Sequence, residues 1–420
     1  MVAGASGGGT TTTKPQPTPQ VRAAHVSVMA AFVMAGVTFA TWASRIPDVK
    51  DALDLTPSRL GLVLIAMSAG SVLALPSAGW VVQRLGVART VLGGTVLVAI
   101  GFTVAGAGTS LGSIPLVAAG LFLGGLGVGS WDVAMNVEGA DVERHLGRTV
   151  MPHYHAGFSL GTVGAAGLGA LASWARVPVV LHLVLASVLA LVVVAWAVRR
   201  FLPHVQVEVG SEEHKARRHP LSYFKEPRTL LVGVVVLAAA FTEGSANDWL
   251  SVAIRDGYGT ESWVGVLGFA AFVTAMTVGR VLGTVWLDRY GRVKVLWAAF
   301  ALAAVGALLV ILGPSIGLVA AFAGALLWGV GASLGFPVGM SAAADDAQHA
   351  AARVSVVASI GYCAFLAGPP LLGFLGDHYG VLQSLFVVVA LTIPALLVVP
   401  ATKPLPGSEA DVKEKSASLA

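Results

Sequence analysis

Twelve apolar runs, at approximately 26–44, 60–82, 87–108, 112–137, 154–174, 178–198, 229–250, 262–287, 293–312, 316–342, 354–376 and 381–399, fill most of this 420-residue chain. Each is close to the ~20 residues a helix needs to cross ~30 Å of hydrocarbon. So much apolar surface cannot be hidden in a water-soluble core. Only 11% of residues are charged and 56% are hydrophobic, with mean hydropathy +0.80, against roughly 25% charged in a soluble domain. A soluble enzyme, a secreted disulfide scaffold and a disordered protein are excluded. The runs are continuous and lack the ten-residue alternation of an outer-membrane barrel, so they are helices. The single Cys363 lies inside a run, which leaves no intrachain disulfide and no thiolate metal site.

Lys and Arg favour cytoplasmic loops. With both termini inside, 20 of the 26 basic residues fall in inner segments, 5 (Arg45, Lys50, Arg59, Arg176, Arg255) fall outside, and Arg280 lies within a span. The reverse topology inverts that bias, so both termini are expected in the cytoplasm and the chain in the cytoplasmic membrane. The net charge of +4 sits in short links rather than on one face, so no nucleic-acid partner is expected. Residues 1–22 are rich in Gly, Thr and Pro and read as a disordered tail, without the pattern of a cleaved signal peptide. The expected organisation is a tail at 1–22, six spans in 23–201, a polar linker at 202–227, six spans in 228–401, and a tail at 402–420.

The two sets of six spans repeat one another. At an offset of 204, Thr56, Ser58, Gly61 and Gly79 fall on Thr260, Ser262, Gly265 and Gly283. Gly120, Gly125 and Gly127 fall on Gly324, Gly329 and Gly331, and Asp141, Gly157, Gly164 and Gly169 fall on Asp345, Gly361, Gly368 and Gly373. Parallel repeats of six spans mark one transporter architecture.

The loop after the second span runs Gly79-Trp-Val-Val-Gln83-Arg84-Leu-Gly86-Val-Ala-Arg89, and after the eighth Gly283-Thr-Val-Trp-Leu-Asp288-Arg289-Tyr-Gly291-Arg292. Both resemble the G-x-x-x-D-R-x-G-R cytoplasmic signature of the major facilitator superfamily. That resemblance implies an all-α integral membrane fold, twelve transmembrane helices in two six-helix bundles related by a pseudo-two-fold axis. It also implies that these loops latch the bundles together on the cytoplasmic side when the protein faces outward. The first copy has Gln83 where the family has an acid, and the second places its glycine one residue further from the acid. The Asp288 copy is therefore expected to latch more strongly, with its carboxylate at a neighbouring helix N-terminus.

Ionisable groups within spans cost roughly 2.5–3.5 kcal/mol each and usually face a cavity or a partner. The fourth span holds Asp132 and Asn136, spaced i,i+4 on one face, with Glu138 further on, read as a solvated or latch residue. An acid with an Asn one turn on resembles the site of fucose-type sugar–proton symporters, which implies proton or sugar handling by Asp132 and a sugar-ligand role for Asn136. The first-span acid of those symporters has no counterpart here. His153 and His155 begin the fifth span; spaced i,i+2 they do not share a face, so at most one imidazole, taken as His155, points at the cavity, the alternative being an interfacial role. The seventh span holds Glu243, Asn247, Asp248 and Trp249, with Glu243 and Asn247 on one face. By the resemblance it faces the first span across the cavity, with Thr38, Thr41, Trp42 and Arg45. Trp42 or Trp249 is a sugar-stacking or interface residue, and Arg45 a partner for Glu243 or Asp248, or for an anionic substrate. Arg280 is expected to reach the cytoplasm or pair with Asp288; His182 and Cys363 read as packing.

No Walker loop, HExxH or Cys/His cluster appears, so no ATP, metal or cofactor is expected, and no nucleophile–base set marks an enzyme. Gly368-Pro369-Pro370 lies in the eleventh span, not in the fifth, where the Gly-Pro pair of drug–proton antiporters belongs. The expected function is a monomeric secondary transporter for a small polar organic solute, a sugar among the options, coupled to protons by alternating access. A drug or metabolite exporter and a non-transporting membrane sensor are the alternatives.

Overall fold

The computed structural model describes residues 18–147, 150–203, 220–346 and 349–406. Most of the expected tails and linker (1–17, 204–219 and 407–420), with Arg148 and its neighbour, lie outside them. The helices are α1 (Pro19–Ala43), α2 (Ile46–Ala52), α3 (Pro57–Leu85), α4 (Val87–Ser110), α5 (Ile114–Leu146), α6 (Met151–Trp174), α7 (Val179–Ala197), α8 (Pro227–Ser245), α9 (Ser251–Tyr258), α10 (Ser262–Leu312), α11 (Leu318–Ala332), α12 (Gly335–Ala343), α13 (Ala350–Tyr379), α14 (Val381–Ser384) and α15 (Phe386–Val398). No strand occurs among the described residues. Prolines open α1, α2, α3, α5, α6 and α8, at positions whose backbone N–H has no helical partner in any case. The Thr18 side chain accepts from Val21 N at 3.3 Å, so α1 starts inside the stretch expected to be a tail.

Eleven helical stretches among the described residues are long and apolar enough to cross a membrane. The count differs from twelve because two expected spans meet at Gly291 without an intervening loop and are taken together as α10, residues 262–312. At 1.5 Å per residue α10 follows about 77 Å of path, more than twice a hydrocarbon core. It kinks at Gly291, whose φ of 74° and ψ of 165° are non-helical. One residue without a Cβ adopts this left-handed conformation cheaply, so the helix changes direction with no loop. Gly86, in the other copy of the motif, has nearly the same geometry (φ 80°, ψ 160°) between α3 and α4.

The repeated glycines do matching work in packing. Gly125 lies against the backbone of Met67 and Ser71 on α3, and Gly329 against that of Phe272 and Met276 on α10. A side chain at either site would collide with the neighbouring helix, which is the close approach small residues permit in membranes. Further contacts join early and late helices: α3 packs on α13, and α6 on α10.

Candidate functional site

On α5, Trp131 is buried in the helix packing while Asp132, the next residue, is exposed well inside the span. Asn136 Nδ2 donates to the Asp132 carbonyl at 2.8 Å and to its Oδ1 at 3.3 Å.

A second polar centre gathers around Arg280 on α10. Its Nη2 donates to both carboxylate oxygens of Glu243 on α8, at 2.9 Å each. Its Nε donates to the Ser333 carbonyl at 3.3 Å, at the break between α11 and α12 where a helix end leaves that group unpaired. The expectation that Arg280 reaches the aqueous end or pairs with Asp288 is therefore corrected; the partner is on another helix, which sequence spacing cannot reveal. Arg280 is 30% exposed and Glu243 19%, so the pair borders open space. His155 on α6 is exposed, sits edge-on to Phe32 with centroids 5.1 Å apart, and is within electrostatic reach of Arg280.

Between α8 and α9 the chain forms a π-helical turn, Ala246–Leu250, that the sequence did not announce. Such turns recur at functional sites. Ala246 N–H donates to the Glu243 carbonyl, and the Thr242 carbonyl accepts from Trp328 Nε1 on α11 at 3.2 Å. The wide turn shifts the register of the residues beyond it. Asn247 is packed inside at 7% exposure with an unpartnered Oδ1, whereas Asp248 is half-buried and makes no hydrogen bond or ion pair among the described residues. Replacing Trp328 with Phe removes a hydrogen bond to a buried carbonyl, at about 0.5–1.5 kcal/mol. The expected outcome is a lower melting temperature with faster hydrogen exchange confined to 242–250; unchanged exchange there would remove Trp328 from control of the turn.

Three side chains expected at the cavity lie elsewhere. Arg45 is buried at 2% exposure, paired with Asp48 at 2.9 Å and donating to the Val177 carbonyl at 2.6 Å, not with Glu243 or Asp248. The reason is local: α2 begins at Ile46 and sets Asp48 at i+3 from Arg45. Trp42 packs near Phe102 with centroids 6.4 Å apart, and Trp249 is fully buried, so neither indole presents a face to open space. Glu138 is also fully buried rather than solvated, accepting from Leu202 N at 2.7 Å. Cys363 is exposed, not packed.

The two ends differ. At the end carrying α2, Lys50 pairs with Asp256 at 3.2 Å, Arg255 with Asp51, and Ser262 Oγ donates to Asp51 at 3.1 Å. Ser58 Oγ donates to the Gly373 carbonyl at 3.4 Å. Early and late helices are thus tied together there. At the other end Gly79, Gln83, Arg84 and Arg89 of the first motif copy are exposed, as are Asp288 and Arg289 of the second. Arg84, Arg89, Asp288 and Arg289 make no hydrogen bond or ion pair among the described residues. The motif arginine that is engaged, Arg292, holds Asp345 at 2.7 Å together with Arg228 at 2.8 Å.

The Major Facilitator Superfamily profile matches residues 27–351 and 250–420. The chain belongs to this superfamily. An uncharacterized transporter y4wD of Sinorhizobium fredii is 33% identical over 365 residues, covering 86% of this chain and 93% of that protein. Among solved structures, a mutant of the nucleoside transporter NupG is similar with a TM-score of 0.72 at 13% identity, over 91% of this chain and 99% of that one. A variant of the E. coli fucose:proton symporter FucP gives a TM-score of 0.62 at 16% identity, over 91% and 98%. These two likenesses concern the fold alone. This member of the Major Facilitator Superfamily is an integral membrane transporter and not an enzyme.

Proposed function

We propose that the chain is a secondary active transporter that moves a small polar organic solute across the cytoplasmic membrane by alternating access, coupled to protons. The observation that carries this reading is the set of ionisable side chains within the spans, Asp132 with Asn136 on α5 and Glu243 with Arg280 on α8 and α10, each bordering open space. Their insertion cost is tolerated where they serve a pathway. Counting α10 as two spans on either side of Gly291 gives twelve, in a bundle over 23–201 and another over 228–401. The repeated Gly86 and Gly291 geometry and the paired glycine contacts support that division.

The distribution of Lys and Arg supports cytoplasmic termini. The end with Gly86 is then cytoplasmic, and the ion-paired end with Asp51 is outer. The conformation is accordingly closed outside, with the motif loops unlatched inside. Asp132, His155, Glu243 and Asp248 are the candidate proton carriers, and Asn136 and Asn247 the candidate solute ligands. The working unit is a monomer. The likeness to a fucose:proton symporter extends to the fold, so a sugar is one candidate class among small polar solutes.

A thermal-shift screen across sugars, nucleosides, amino acids and organic acids identifies the solute. Uptake into proteoliposomes under an imposed pH gradient then tests the coupling. Asp132→Asn is expected to retain solute binding and lose the stimulation by the gradient. Unchanged stimulation in that variant removes Asp132 from coupling, and gradient-independent uptake by the unmodified protein rejects proton coupling altogether.

A further inference from the structure

The kink at Gly291 opens a cleft of about 280 Å³ between the two arms of α10, with α11 as its floor. Trp286 and Tyr290 line it on one arm, Lys294, Ala298 and Leu302 on the other, and Val330 from below. From Lys294 to Leu302 the wall runs about 12 Å along the helix. That wall is almost entirely alkyl and aromatic, so water is a poor occupant. Trp286, Tyr290 and Lys294 are exposed and gather at one end, the pattern of side chains at the level of lipid headgroups.

Two basic side chains at that end carry no ionic partner among the described residues. Lys294 is exposed and makes no hydrogen bond or ion pair among the described residues. Arg289 has no ionic partner among them either and lies over the Tyr290 ring, 5.4 Å from its centroid. Arg292, between them in sequence, is already held by Asp345 and Ser341. Neither Arg289 nor the exposed, likewise unpaired Asp288 lines the cleft, but the Arg289 guanidinium is held beside it over Tyr290, which does. An apolar slot with two uncommitted cations beside its mouth fits an amphiphile with an anionic head and a hydrocarbon tail.

We propose that this cleft is a binding site for one anionic phospholipid, its acyl chain lying between the arms of α10 and its phosphate head on Lys294 and Arg289. Basic pockets between transmembrane helices at a bilayer surface bind anionic heads in this way. The position gives the lipid a hold on both arms of the kink. Its occupancy therefore stiffens the hinge beside the second motif copy. This inference stands apart from the identity of the solute.

The test uses the full chain, purified in a mild detergent and titrated with dioleoylphosphatidylglycerol or dioleoylphosphatidylcholine. Retained lipid is counted by native mass spectrometry and melting is followed in parallel. The unmodified protein is expected to retain one phosphatidylglycerol in preference to phosphatidylcholine, by about fivefold for each basic residue engaged, and to melt at a higher temperature with it. Lys294→Gln with Arg289→Gln is expected to abolish the preference while keeping the lipid-free melting temperature. Ala298→Phe, which fills the slot from an exposed position, is expected to lose the bound lipid of either kind. Equal retention of both lipids by the unmodified protein overturns the proposal. So does a preference that persists through the double substitution or through Ala298→Phe.

Discussion

Replacing Arg280 with Met, or Glu243 with Met, is expected to abolish solute uptake and to lower stability. In each variant the remaining ion is stranded within the spans. Breaking a fully buried pair costs about 3–5 kcal/mol, and the partial exposure of this one places the loss nearer ~2 kcal/mol. Arg280→Met also frees the Ser333 carbonyl at the α11–α12 break, so it is expected to be the more damaging. The double variant separates structure from function. With both charges gone no ion is left without a partner, so melting should return most of the way towards the unmodified value. Uptake should remain absent if the pair handles the solute or the proton. Recovery of uptake along with stability would make the pair purely structural. Thermal melting and proteoliposome uptake on the four proteins of the cycle decide between these outcomes.

The second large effect concerns the ion-paired end that carries α2. Lys50–Asp256, Arg255–Asp51 and Ser262–Asp51 join segments more than 200 residues apart. Exposed ion pairs contribute about 0.2–1 kcal/mol each, so under the proposed alternating access these contacts are shallow enough to reopen in every cycle. A covalent link makes them permanent. With the single native thiol removed by Cys363→Ser, Asp51→Cys and Ser262→Cys are to be joined by a short bis-methanethiosulfonate. Uptake is expected to stop on cross-linking and to return when a reductant cleaves the link. Continued uptake by fully cross-linked protein would mean that this end does not open.

The spans were legible because a bilayer demands runs of ~20 apolar residues and tolerates little else. The repeat was legible because close helix contacts need glycine, and the same contacts recur at Gly125 and Gly329. What escaped depends on rotation about helix axes. Glu243 and Arg280 sit on different helices, and nothing in their spacing shows that they face each other. The π-helical turn lies beside a bond to the Thr242 carbonyl from Trp328, 86 residues further on. The Arg45–Asp48 pair was within reach, because Pro47 near the start of a short helix makes an i,i+3 contact natural. Long-range polar attraction to Glu243 was the wrong competitor to favour. That two spans meet at the single non-helical residue Gly291 was hidden because a glycine between two apolar runs reads as a loop.

The central claim is that the two bundles rock about a polar centre, so that one end closes as the other opens. Pulsed electron–electron spectroscopy measures both ends in the same preparation, in a Cys363→Ser background. One labelled pair replaces the exposed Arg84 and Arg289 at the motif end, and a second replaces Asp54 and Glu261 at the other. On adding the solute found in the screen, the distance between the motif loops is expected to shorten in a new population while the other distance lengthens in the same proportion. Two distances that stay fixed, or that lengthen together, would contradict the account.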